Sequence, residues 1–151
     1  MHEVNFYWAG GGDIEDMILS ELDGFENFHW LGSLQYPDKV REFLSEIDVY
    51  LFPTSMDTTP LSLREAELMK NPVVATNVAG IPETIIDGVT GFLVEAGNHE
   101  QYIEKLKLLL DNKIQAKQMG EAGRKFVEEK FNQEASVKGF LDAIRLYVKD
   151  K

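Results

Sequence analysis

The chain has 151 residues, no cysteine, three scattered histidines and a formal net charge of −11. Disulfides, thiolate metal sites and a cysteine nucleophile are thereby excluded, and no two histidines stand at metal-ligand spacing. The acidic balance opposes phosphate-driven nucleic-acid binding and an anionic membrane surface alike.

Hydrophobic residues make up 44% of the chain and charged residues 27%, ordinary globular usage that supports a core in one domain of this size. No apolar run approaches the ~20 residues of a membrane-spanning helix. Strand-like sequence begins almost at once, with Val4, Phe6 and Trp8 alternating with Asn5 and Tyr7. A chain that opens inside its first strand is expected to be a piece of something longer, although a compact protein with a short start has the same pattern.

After this first strand, residues 4–8, comes Ala9-Gly10-Gly11-Gly12-Asp13. Glycines there permit positive φ and close approach of a ligand, and a helix N-terminus favours anions. The run is not G-x-G-x-x-G, so phosphate contact and a simple turn both remain open. Asp13 is a candidate N-cap for a helix with Ile14, Ile18 and Leu22 on one face. A second strand is expected at 28–31. An amphipathic helix follows at 37–47, where Val40, Phe43, Leu44 and Ile47 fall at i, i+3, i+4 and i+7.

The third strand, 49–52, leads into the hydroxyl-rich loop 53–60 and a helix over 61–69. Thr58 or Thr59 beside Pro60 reads as a capped helix entry. Glu65 lies one turn in, on roughly the face of Leu61 and Leu68, either solvated or placed to accept hydrogen bonds. The strand 73–76 then gives way to the loop 77–83 and a single turn at 83–86, with Pro82 and Glu83 suited to a helix start. After the strand 92–94 only helices follow, at 99–110, 114–131 and 133–148. The last carries Val137, Phe140, Leu141, Ile144 and Val148 as an apolar stripe. Strands alternating with helices predict βα units and a parallel sheet: an α/β, Rossmann-like three-layer domain spanning 1–151, with extra C-terminal helices.

The pieces together resemble the C-terminal domain of retaining glycosyltransferases of family 4, of GT-B architecture. The resemblance runs through Phe6-Tyr7-Trp8-Ala9-Gly10-Gly11-Gly12, Glu26-Asn27-Phe28-His29-Trp30-Leu31-Gly32 and Ile47-Asp48-Val49-Tyr50-Leu51-Phe52-Pro53-Thr54-Ser55. Its most specific stretch is Asp57-Thr58-Thr59-Pro60-Leu61-Ser62-Leu63-Arg64-Glu65-Ala66, followed by Pro72-Val73-Val74-Ala75-Thr76, Gly80-Ile81-Pro82-Glu83 and Asp87-Gly88-Val89-Thr90-Gly91-Phe92-Leu93-Val94. Gly123-Arg124-Lys125-Phe126-Val127 and Phe131 also fit.

The resemblance implies a site for a nucleotide-sugar donor, UDP-, GDP- or ADP-linked. The family's paired glutamates map to Asp57, near the donor sugar and phosphates, and to Glu65, on the ribose. Aspartate is a methylene short of the usual glutamate, and Thr58-Thr59 replaces the usual glycine-containing segment. Pro60 has no N–H, so backbone donors for phosphate fall to Thr58, Thr59, Leu61 and Ser62. By similarity Gly32, Ser33 and Leu34 lie near the base, and Gly10, Gly11 and Gly12 border the donor cleft.

A diphosphate needs compensating cations or many donors, and the motif has only Arg64 and Lys70 nearby. Family members supply an arginine and a lysine from the first segment of this domain, and the acceptor surface from an N-terminal domain of the same enzyme. Neither is expected in this chain, which alone is expected to be inactive. The intact enzyme is expected to transfer the sugar with retention, without a metal or other cofactor, in the cytoplasm or at the membrane periphery. Two other readings stand beside this one. One is a nucleotide-sugar epimerase or glycogen-synthase relative; the other is a stand-alone regulatory or interaction domain of GT-B ancestry. A phosphoacceptor receiver domain has the same alternation but lacks its acidic cluster here.

Overall fold

The computed structural model describes residues 4–149. They fall into two compact units, Met1–Glu46 and Ile47–Lys151.

The first unit contains β1 (Phe6–Ala9), α1 (Glu15–Glu21), β2 (Phe28–Gly32) and α2 (Asp38–Glu46). β1 and β2 pair in parallel, with Phe6 opposite Phe28 and Trp8 opposite Trp30; the register then shifts so that Ala9 faces Gly32. Asp13 does not cap α1. The N-cap position is Ile14, without a side-chain hydrogen bond, because the turn is closed by backbone, the Glu15 N–H donating to the Gly12 carbonyl. α1 buries no residue. In α2 the expected stripe is present, with Leu44 buried and Val40 and Phe43 half-buried.

The second unit contains β3 (Tyr50–Phe52), α3 (Leu61–Leu68), β4 (Val73–Thr76), a 3₁₀ turn (Ile81–Glu83), β5 (Gly91–Val94), α4 (His99–Asp111), α5 (Lys113–Lys130) and α6 (Gln133–Lys149). Its three strands are parallel in the order β3-β4-β5. All four residues of the central β4 are buried, which explains why it reads as a continuous rather than an alternating apolar run. Val74, Phe92, Val94, Leu109 and Met119 form the core, with Val49, Leu51 and Tyr102 packed against it. The 3₁₀ turn comes two residues earlier than the expected turn at 83–86, because Pro82, with its fixed φ, sits in the first turn itself.

α4 and α5 each begin on an asparagine. The Asn98 side chain accepts from the Gln101 N–H and that of Asn112 from the Gln115 N–H, both at 3.0 Å. α5 approaches the end of α3 through glycine: a Cβ on Gly120 would lie 1.9 Å from the Lys70 carbonyl oxygen. α6 keeps its apolar stripe uncovered, with Val137, Phe140, Leu141 and Ile144 all exposed; the Val148 side chain lies outside the described residues. Among the described residues no helix is long and apolar enough to cross a membrane.

Candidate functional site

In the first unit the two glycine loops meet. The Gly10 N–H donates to the Gly32 carbonyl at 2.8 Å, and Trp30 Nε1 donates to the Gly10 carbonyl at 2.9 Å. Both turns need glycine, since Gly10 has φ 123° and Gly32 φ 64°. Gly11, Gly12 and Ser33 are exposed, and Leu34 is half-buried. The remaining predicted residues, Asp57, Thr58, Thr59, Leu61, Ser62 and Glu65, belong to the second unit.

There, the loop after β3 is held mostly by its own backbone. Asp57 is half-buried, and its Oδ1 accepts from the Thr59 N–H at 3.0 Å. That bond occupies part of its carboxylate. Neither Thr58 nor Thr59 caps α3. Pro60 takes the N-cap position in extended conformation, with no side-chain hydrogen bond, and is buried, while both threonines stay exposed. The buried proline ring, not a hydroxyl, fixes the helix entry.

Glu65 is half-buried and makes no ion pair among the described residues. Leu61 and Leu68, on its stripe, are 69% and 39% exposed, so this face of α3 looks outward from the core. Beside it, burial pushes the Tyr50 phenol above its usual range, the neighbouring Ser62 hydroxyl opposes this, and the nearby Glu65 charge adds to the rise. Tyr50, Ser62 and Glu65 thus form a polar group around the first turns of α3.

A second loop backs the first. The Gly80 N–H donates to the Asp57 carbonyl at 3.1 Å, and a Cβ on Gly80 would lie 2.0 Å from the Thr58 carbonyl oxygen. With φ −87°, Gly80 is required by space, not by its dihedral. At the start of the loop, the Tyr102 hydroxyl donates to the Phe52 carbonyl at 3.0 Å and lies 3.0 Å from Thr76 Oγ1.

Of the cations near α3, Lys70 is exposed just past the helix, and two others are engaged elsewhere. Arg64 lies over the Phe131 ring at 4.2 Å, and Lys130 donates to the Glu83 carbonyl. Glu67 is wholly buried, with neither carboxyl oxygen hydrogen-bonded. Burial lifts its pKa from 4.5 to about 8, against the opposing pull of Arg64. Among the described residues no group of three or more His, Asp or Glu comes together as a metal site.

Sequence reasoning missed Tyr50, Glu67 and Tyr102. Glu67 had a signal: Leu63, Ala66 and Glu67 follow i, i+3, i+4, the buried face of α3. The phenols had none, because their partners are a hydroxyl or a backbone carbonyl distant in sequence.

Residues 3–126 match the family described as glycosyl transferases group 1. The chain belongs to this family. Among curated relatives of this glycosyl transferases group 1 chain, the capsular polysaccharide biosynthesis glycosyltransferase CapM of Staphylococcus aureus is 36% identical over 90 residues, covering 60% of this chain and 24% of CapM. A GDP-mannose-dependent phosphatidylinositol monomannoside mannosyltransferase of Corynebacterium glutamicum is 33% identical over 134 residues, covering 83% of this chain and 35% of that one. The chain spans between 24% and 39% of the length of the first curated relatives it matches.

Among solved structures, a S. aureus TarM complex containing UDP superposes with a TM-score of 0.84 at 25% identity, covering 92% of this chain and 28% of TarM. Anabaena HepE, solved with UDP-glucose, gives 0.80 at 15% identity, covering 94% and 41%; that likeness concerns the fold alone. The α/β fold with parallel strands is that of GT-B glycosyltransferase structures.

Proposed function

We propose that this chain is the nucleotide-sugar-binding part of a retaining glycosyltransferase, with Glu65 holding the ribose of the donor. The observation that carries the reading is Glu65 itself, half-buried and with no ion pair among the described residues, on the helix that follows the loop 53–60. A carboxylate in that state has acceptor capacity left for a vicinal diol, and charge-assisted hydrogen bonds of this kind are the strong ones. The family membership and the UDP in the TarM structure support a nucleotide ligand.

The diphosphate would meet the Thr58, Thr59, Leu61 and Ser62 N–H groups at the entry to α3. Stabilising charge on that leaving group as the glycosidic bond breaks is the chemistry such a cradle supplies. The chain alone offers little cationic help, because Arg64 is stacked on Phe131. Transfer therefore requires cations from the first segment of this domain and an acceptor surface from an N-terminal domain, and the chain by itself does not turn over a nucleotide sugar. The reading needs no metal and no other cofactor.

Titration of the chain with UDP, GDP and ADP, followed by amide chemical shifts, tests the reading. We expect one nucleotide to perturb residues 57–65, and Glu65→Ala to weaken it by roughly 10- to 100-fold, the loss of one or two charge-assisted hydrogen bonds. No response to any of the three at millimolar concentration, or unchanged binding by Glu65→Ala, would overturn it.

A further inference from the structure

The loop 53–60 carries the residues assigned to the donor, yet few of its own side chains fix its place. Thr54 Oγ1 donates to the Met56 carbonyl, and Asp57 accepts from Thr59. Both bonds stay within the loop and shape it without anchoring it. Its anchors to the rest of the unit are at the two ends.

At the first end stands the Phe52 carbonyl, the last of β3. Tyr102, from α4, donates its hydroxyl proton to this oxygen at 3.0 Å. The Thr54 N–H donates to the same oxygen at 3.0 Å. With its proton so placed, the Tyr102 oxygen can only accept from Thr76 Oγ1 at 3.0 Å, a better bond than the 3.5 Å alternative from Thr76 to Phe52. A chain Thr76–Tyr102–Phe52 therefore ties the ends of β4 and β3 to α4, where the loop departs. It lies in a half-buried setting, where a hydrogen bond is stronger than in water.

Toward the second end, ahead of the buried Pro60 ring at the helix entry, the anchor is a close backbone contact. Gly80 donates its N–H to the Asp57 carbonyl at 3.1 Å, and it leaves no room for a Cβ against the Thr58 carbonyl. The 3₁₀ turn that follows, Ile81–Glu83, buries Ile81 completely, so the surface against which the loop rests is itself fixed in the core.

We infer that Tyr102 and Gly80 are positioning residues for the donor-contacting loop, setting the N–H groups of Thr58 and Thr59 and the entry to α3 from outside the motif. This rests on the donor-site reading above and adds to it two residues that touch no ligand.

Three variants of this chain test the inference: Tyr102→Phe, Gly80→Ala and, as control, Gly120→Ala. The control makes the same kind of clash with a carbonyl, that of Lys70, away from the loop. Two readouts are needed. Without nucleotide, the ¹³C shift of the Phe52 carbonyl and the amide shifts of 53–59 report the loop directly. With UDP as the probe, the amide titration reports affinity. We expect Tyr102→Phe to move the Phe52 carbonyl shift, Gly80→Ala to move the amides of 57–59, and each to weaken UDP by about 3- to 10-fold. Gly120→Ala should lower stability while leaving the loop shifts and UDP affinity in place.

The inference is overturned if both site variants leave the shifts of 52–59 unchanged. It also fails if they weaken UDP no more than the control does at matched stability. Failure of the wild-type chain to bind UDP, GDP or ADP would count against the donor-site reading instead, and the nucleotide-free shifts would still decide whether Tyr102 and Gly80 fix the loop.

Discussion

Glu67 shows how a single side chain can make this fold sensitive to pH. In the unfolded chain its carboxyl loses its proton near 4.5, whereas in the fold burial holds the proton up to about 8. Between those values the native state binds the extra proton, so stability falls as pH rises. The contribution is fully present below 4.5 and is lost as pH passes 8. The slope from this group is at most about 1.4 kcal/mol per pH unit. Glu67→Gln removes the ionisable group while keeping its shape. Denaturation midpoints measured from pH 5 to 8 should fall less steeply for the variant, which overtakes the wild type toward the alkaline end. Parallel profiles would show that Glu67 is not the titrating group. At this scale the sequence was partly legible. Glu65 could be placed on its helix from spacing and resemblance, while the state of Asp57 could not, because its bond to the Thr59 N–H depends on the path of the loop. Tyr102 was illegible: the residue that it grips is 50 positions away and presents only a carbonyl.

Elements were more legible than residues, because periodicity survives without knowledge of contacts. Val73-Val74-Ala75-Thr76 is buried throughout and was visible as an unbroken run. Capping was less so. Asp13, Thr58 and Thr59 are good capping residues that do not cap, because a backbone turn and a buried proline already determine those helix entries. The packing of α5 on α3 shows the same limit. Glycine within a helix reads as a weakness, yet Gly120 and Gly123 are buried and bring α5 against Lys70 and Glu67. Gly120→Ala therefore has opposing effects, a gain in helix propensity of about 1 kcal/mol and an overpacking cost of roughly 1–3 kcal/mol. Because the clash is with backbone, the cost should win. A lower urea midpoint with an unchanged m-value is the expected outcome; a higher midpoint would mean that the helices part at little cost.

For the whole molecule, the proposed chemistry can be checked in an intact enzyme that contains this chain. The glycosidic product should carry the anomeric configuration of the donor, read from its proton coupling, and turnover should survive a chelator. An inverted product, or activity abolished by chelation and restored by a divalent cation, would contradict the mechanism.

The fold also implies two different lifetimes for its hydrogen bonds. β4 lies between parallel neighbours on both sides with every residue buried, so its amide protons can reach solvent only when the three-stranded unit opens as a whole. β1 and β2 form a separate two-stranded ladder, and β1 begins on the exposed residues Phe6 and Tyr7. In deuterated water β1 should therefore lose its protons early, through smaller local openings. β4 should lose them last, at a rate that reports the global stability of the unit to which Glu65 belongs.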